Sequence, residues 1–181
     1  MYSLSPIKDE SPLSPRSSVA ALLQEALLRT DGTVTDLLEL FTHETIGIEK
    51  VTTGGYATEC NRPECDREPG LVVRDVILFG QSSRETYTFA HSHLFPDALP
   101  RAVFQHLAET NDPIGKVLKE HRTETYRQID ERGCRPMPGV AKILGRPETD
   151  QLLWRRYSII AGGMVIMEIA EVFSEQLFSS P

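Results

Sequence analysis

Near the C-terminus, two apolar, β-branched runs (residues 152–161 and Met164–Phe173) flank a Gly162-Gly163 pair. This pattern signals a two-residue hairpin, because primed turns demand positive φ at both central positions. It commits the chain to an antiparallel sheet and sets a register. With the glycines as the turn, Trp154 stands opposite Glu171, Arg156 opposite Ile169, and Tyr157 opposite Glu168. One face then gathers Trp154, Arg156, Met167, Ile169 and Glu171, and the other gathers Arg155, Tyr157, Ile159, Glu168 and Ala170. Each face is largely apolar yet carries one arginine and one glutamate. Ionisable groups in such surroundings are costly unless paired or used, so each marks an ion pair or a site.

Upstream, residues 1–18 are rich in Ser and Pro and read as a disordered tail ahead of a single domain over 19–181. Residues 19–29 read as an amphipathic helix stopped by Asp31-Gly32. Residues 33–41 read as a second helix with Thr33 as its N-cap. Residues 46–53 form a strand candidate, and 54–70 a charged loop with Pro and Asn. Residues 71–79 are apolar on both faces, as in a covered strand. They return through a polar turn into 85–94, making a second hairpin. Residues 100–109 look helical, with Pro100 near the start. Residues 111–115 read as a turn, 116–121 as a short helix, 123–129 as a strand, and 131–150 as a long connection. The sum is an α+β domain: helices first, then a mostly antiparallel sheet flanked by helices.

Four groups of residues need a chemical account. Arg74 lies mid-strand among Val72, Val76 and Leu78, either as a buried ion pair or as a receptor for a carboxylate or phosphate. Glu171, set between Trp154 and Met167, reads either as an end-of-strand carboxylate or as a carboxyl for general acid–base work. Glu168 is its competitor, with Arg155 and Tyr157 as natural neighbours. His91 and His93 share a strand face without a third metal ligand, and His121, Arg122 and Arg127 read as a solvated basic edge.

The net charge of −7 argues against a nucleic-acid or anionic-membrane binder. It leaves room for a small anionic ligand gripped by a local arginine. No apolar stretch approaches the roughly 20 residues that span a bilayer, and no signal core is evident, so a cytoplasmic protein is expected. Three cysteines, an odd count, do not suggest a disulfide framework. The Cys60-x4-Cys65 pair lacks a second pair to complete a zinc site, so no metal is expected. Oligomeric state is not legible.

Three segments, in register, resemble the chorismate pyruvate-lyase family, the 4-hydroxybenzoate synthases, in its short actinobacterial-type branch. The first is Val73-Arg-Asp-Val-Ile-Leu-Phe-Gly80 followed by Ala90-His-Ser-His-Leu-Phe-Pro-Asp-Ala-Leu-Pro100. The second is Thr110-Asn-Asp-Pro-Ile-Gly-Lys-Val-Leu118 with Glu124-Thr-Tyr-Arg127. The third is Arg155-Arg-Tyr-Ser-Ile-Ile-Ala-Gly-Gly163 through Ile166-Met-Glu-Ile-Ala-Glu-Val-Phe173.

The resemblance implies a ligand sealed beneath helical flaps over an antiparallel sheet, and elimination of pyruvate from chorismate without cofactor or metal. It places the carboxylate-binding arginine at Arg74 and the glutamate that meets the 4-oxygen at Glu171. It places flap contacts at Ile114 and Gly115, and a backbone contact at Val34. The enterobacterial branch has Gly-Arg where this chain reads His91-Ser92. That leaves His91, His93 or Arg156 to stand in, or implies another substrate. Two alternatives follow: a non-catalytic aromatic-acid sensor of the same fold, or a lyase for a related chorismate-derived acid.

Overall fold

The computed structural model describes residues 19–51 and 71–174. They form α1 (Val19–Arg29), α2 (Val34–Thr42), β1 (Ile46–Lys50), β2 (Val72–Gly80), β3 (Thr86–Leu94), α3 (Arg101–Glu109), α4 (Ile114–Glu120), β4 (Tyr126–Pro136), α5 (Pro138–Ile143), β5 (Gln151–Ala161) and β6 (Met164–Phe173). The strands make one antiparallel sheet in the order β1-β2-β3-β6-β5-β4. The hairpins β2–β3 and β5–β6 dock through β3 and β6, while β1 and β4 close the edges. This is the expected α+β architecture. The Ser/Pro tail, the 54–70 loop and the Cys60/Cys65 pair lie outside the described residues. No helix among those described is long and apolar enough to cross a membrane.

Both faces of the sheet are covered, which is why β2 and β3 carry apolar residues on both sides. On one face, Leu23 and Leu27 of α1 and Val34 and Leu38 of α2 pack on Val76, Leu78, Ala90 and Phe173. Beside them, Val103 and Leu107 of α3 and Val117 and Leu118 of α4 pack on Leu94, Ile159, Met167 and Ile169. On the opposite face, Val140 and Ala141 of α5 cover Phe89, Leu152, Ala170 and Val172. Leu27, Leu38 and Leu107 are essentially sealed from water. Each contributes about 1.5–3 kcal/mol by that burial.

The Gly162-Gly163 turn forms as expected, with φ of 57° and 81°. The register derived from it holds only next to the turn, where Ile160 faces Val165. Beyond that a bulge admits Ile166 as an extra residue, whose carbonyl accepts from Phe95 N–H at 3.1 Å. Every later pair slips by one, so Glu171 faces Arg155 rather than Trp154, and Tyr157 faces Ile169 rather than Glu168. A single bulge thus moves Arg155 and Tyr157 onto the face of Glu171.

Two further readings are corrected. β4 runs to Pro136, so the stretch read as a long connection opens with the end of a strand, followed by the short α5. An edge strand tolerates charges and proline because one side of its backbone meets no partner. Asp130, Glu131, Arg132, Arg135 and Pro136 therefore hide the alternation. The helix expected from Lys116 begins at Ile114, directly after Pro113, so Ile114 and Gly115 sit in its first turn.

Candidate active site

A cavity of about 60 Å³ lies between the sheet and the helices, where the two helix-facing apolar clusters meet. Arg74, Val76 and Leu78 of β2, Ala90 and Ser92 of β3, and Ile169 and Glu171 of β6 supply its floor. Tyr157 and Arg127 close one side, while residues 32–35 and 113–115 form the roof. Gly115 permits this roof to close. A Cβ there would stand 3.1 Å from the Thr33 hydroxyl and 3.5 Å from an Arg127 guanidinium nitrogen. Thr33 occupies the N-cap position of α2, but its side chain makes no capping bond.

Arg74 is buried to 7% exposure, and its Nη2 donates to the Asp112 carbonyl at 3.0 Å. Among the described residues its Nε has no hydrogen-bond partner, nor has the hydroxyl of buried Ser92, which stands directly across from it in β3. Burial pulls the Arg74 pKa down, partly offset by the Asp112 charge. A guanidinium nevertheless keeps its proton under any physiological condition. A buried donor without a partner costs about 1–3 kcal/mol, more when charged. Two such donors side by side are the signature of a place for an anion's oxygens.

Two donors hold Glu171. Arg155 Nε binds Oε2 at 2.7 Å, and the Tyr157 hydroxyl donates to Oε1 at 3.1 Å. Arg155 is wholly enclosed. Burial disfavours its charge, but the pull of Glu171 and Tyr157 prevails and its pKa ends above the ordinary value. Burial, then the Glu171 charge, pushes the Tyr157 pKa far up, so the phenol stays protonated as a donor. Each Glu171 oxygen retains a further lone pair for a ligand. Arg155 Nη1 also donates to the Thr30 carbonyl, and Arg127 Nη1 to the Asp31 carbonyl, both at 2.7 Å. Two strand arginines thereby grip consecutive carbonyls of the loop joining α1 to α2.

Of the residues proposed from sequence, Arg74, Glu171, Val34, Ile114 and Gly115 line this one cavity. His91 and Arg156 do not: they project from the opposite face of the sheet. His91 bonds Asp75 through Nδ1 and His93 through Nε2, the latter at 3.0 Å. Arg156 pairs with Glu131 at 2.6 Å. The cause is strand parity. Ser92 is aligned with Arg74, whereas His91 is aligned with Asp75. Sequence reasoning did not bring Ser92, Tyr157, Arg155 and Arg127 to this cavity: it set Tyr157 and Arg155 beside Glu168 and read Arg127 as a solvated edge. Strand parity alone could have found Ser92; the bulge concealed Tyr157 and Arg155, and the charged edge concealed Arg127.

The chain is similar to known proteins. The family model described as "Chorismate pyruvate-lyase Rv2949c-like" matches residues 28–180. A protein of Mycobacterium leprae named chorismate pyruvate-lyase is 28% identical over 155 residues, covering 84% of this chain and 74% of its own. A protein of the same name from Mycobacterium tuberculosis is 27% identical over 158 residues, covering 84% and 79%. Among solved structures, the effector domain of PhnF from Mycobacterium smegmatis shares the fold. It has a TM-score of 0.52 at 12% identity over 82% of this chain and 92% of that one. With its profile matched over nearly the whole described chain, this protein belongs to the Rv2949c-like chorismate pyruvate-lyase family.

Proposed function

We propose that this protein eliminates pyruvate from chorismate to give 4-hydroxybenzoate. The observation that carries the reading is the pair of unpartnered donors, Arg74 Nε and Ser92 Oγ, buried in a cavity that also holds Glu171. Arg74 clamps the carboxylate on the ring and fixes its orientation. Glu171, steadied by Arg155 and Tyr157, meets the 4-oxygen at the far end of the ring. In the reaction, the bond from C3 to the enolpyruvyl oxygen breaks with its electron pair leaving on oxygen. The hydrogen on C4 departs as a proton, and its electrons complete the aromatic ring. The released enolpyruvate takes up a proton to become pyruvate. No net oxidation occurs, so the balance needs no redox cofactor. Aromatisation supplies the driving force, and the residues supply orientation and proton management at Glu171.

The cavity admits a few waters rather than a ring acid, so the ligand enters as the roof lifts. A groove of about 570 Å³ shares Thr33, Thr35, Pro113 and Gly115 with the cavity and forms its outer approach.

The test is to mix purified protein with chorismate, follow pyruvate through lactate dehydrogenase, and identify the aromatic product by chromatography. Equal amounts of pyruvate and 4-hydroxybenzoate are expected. Arg74→Ala is expected to lower kcat/KM by about 30- to 1000-fold, equivalent to about 2–4 kcal/mol. Pyruvate with a different hydroxybenzoate would keep the chemistry and change the substrate. Tight 4-hydroxybenzoate binding without pyruvate would favour a sensor, the reading suggested by the fold shared with an effector domain.

A further inference from the structure

A monocarboxylic ring acid would need one arginine in this cavity, and the cavity has two. Arg74 comes from β2 and Arg127 from β4. β6, which carries Glu171, lies two strands from each in the sheet order. At the usual strand spacing this puts each arginine's strand about 10 Å from the glutamate's strand, on opposite sides. The two cationic ends therefore flank one acid–base group.

We propose that Arg127 receives a second carboxylate, the one borne by the enolpyruvyl side chain, and so selects dicarboxylic ring substrates over monocarboxylic ones. The proposal rests on the lyase reading above and deepens it. With the ring carboxylate on Arg74 and C4 at Glu171, the ether oxygen on neighbouring C3 carries its side chain past Glu171. The next strands in that direction are β5 and β4.

Arg127 is half-buried, and among the described residues only its Nη1 is engaged by a hydrogen bond, to the Asp31 carbonyl. Its Nη2 lies beside Gly115, under the roof. Two neighbouring cations already have anionic partners. Arg155 is held by Glu171 and the Thr30 carbonyl, and Lys116, out in the groove, is paired with Asp112 at 2.9 Å. In a chain of net charge −7, a dianionic ligand needs local positive charge at both ends.

The experiment compares two ligands by calorimetric titration. One is 4-hydroxybenzoate. The other is 3-(1-carboxyvinyloxy)-4-hydroxybenzoate, a dicarboxylate that is already aromatic and has nothing to eliminate. The native chain is expected to bind the dicarboxylate more tightly. Arg127→Gln is expected to weaken that ligand about 10- to 100-fold while moving 4-hydroxybenzoate by no more than about threefold. Arg127→Lys should recover part of the loss. Losing the bond to Asp31 would loosen the roof for both ligands alike, so the ratio of the two affinities isolates the second carboxylate. Parallel weakening of both ligands, or no preference for the dicarboxylate in the native chain, would overturn the role of Arg127 and leave the pocket reading standing. Failure of the native chain to bind either ligand would overturn the pocket reading itself.

Discussion

Arg155 has no exposed surface, and it reaches both Glu171 and the loop above it. Removing one partner of an enclosed ion pair strands the other charge, at about 3–5 kcal/mol. Arg155→Met is therefore expected to lose about that much in urea unfolding. Adding Glu171→Gln to the same chain should restore a good part of it, because no carboxylate is then left without its cation. Strictly additive losses would show that the two side chains do not depend on each other. The residue scale also explains why Arg74 was easy to single out and Arg127 was not. A guanidinium between valines in a covered strand has no ordinary reason to be there. One near an edge strand, beside Gln128 and Asp130, looks like solvated surface until the fold brings α4 and the α1–α2 loop over it.

At the scale of elements, Glu44 joins the approach to β1 to the β2–β3 turn. Its carboxylate accepts from the Tyr87 hydroxyl at 2.5 Å, the Ser83 hydroxyl at 2.8 Å, and the backbone N–H groups of Ser82 and Ser83 at 3.0 Å. These bonds, that of Tyr87 first, draw its pKa from 4.5 down to about 2. A carboxyl whose folded pKa is depressed contributes stability that is complete above about pH 4.5 and drains away as the pH falls towards 2. The urea midpoint should fall across that window, and Glu44→Gln should flatten the fall while lowering the plateau. An unchanged pH profile in the variant would remove Glu44 as the source. The hairpins themselves were legible because Gly-Gly and the Gly80–Arg84 turn punctuate apolar runs. What escaped was irregularity: the extra Ile166 in β6, a second bulge in β4 that leaves Asp130 unpaired between Ile129 and Glu131, and an edge strand whose charges imitate a loop. Bulges are fixed by what the neighbouring strands need, which a local pattern does not carry. Because of one bulge, Glu171 was singled out but given the wrong companions.

For the molecule as a whole, the sheet floors the cavity and the two helical segments cover it, and in the proposed function the ligand enters where that cover lifts. If the proposed lyase activity holds, a product enclosed under that cover should leave slowly and bind well, so 4-hydroxybenzoate is expected to inhibit strongly. It should also raise the unfolding temperature: at a hundredfold excess over its Kd, mass action adds about 2.7 kcal/mol. Weak inhibition with no thermal shift would speak against enclosure. The cover is fastened to the floor by Arg155 and Arg127, which take hold of the carbonyls of Thr30 and Asp31. Since a carbonyl is common to every amino acid, this clasp ignores which side chains occupy the two positions and depends on where the chain places its main-chain oxygens. The length of the loop between α1 and α2 therefore decides whether both oxygens reach their arginines. Inserting or deleting one residue there would displace both grasped oxygens, whereas replacing the side chain of Asp31 leaves its carbonyl in place.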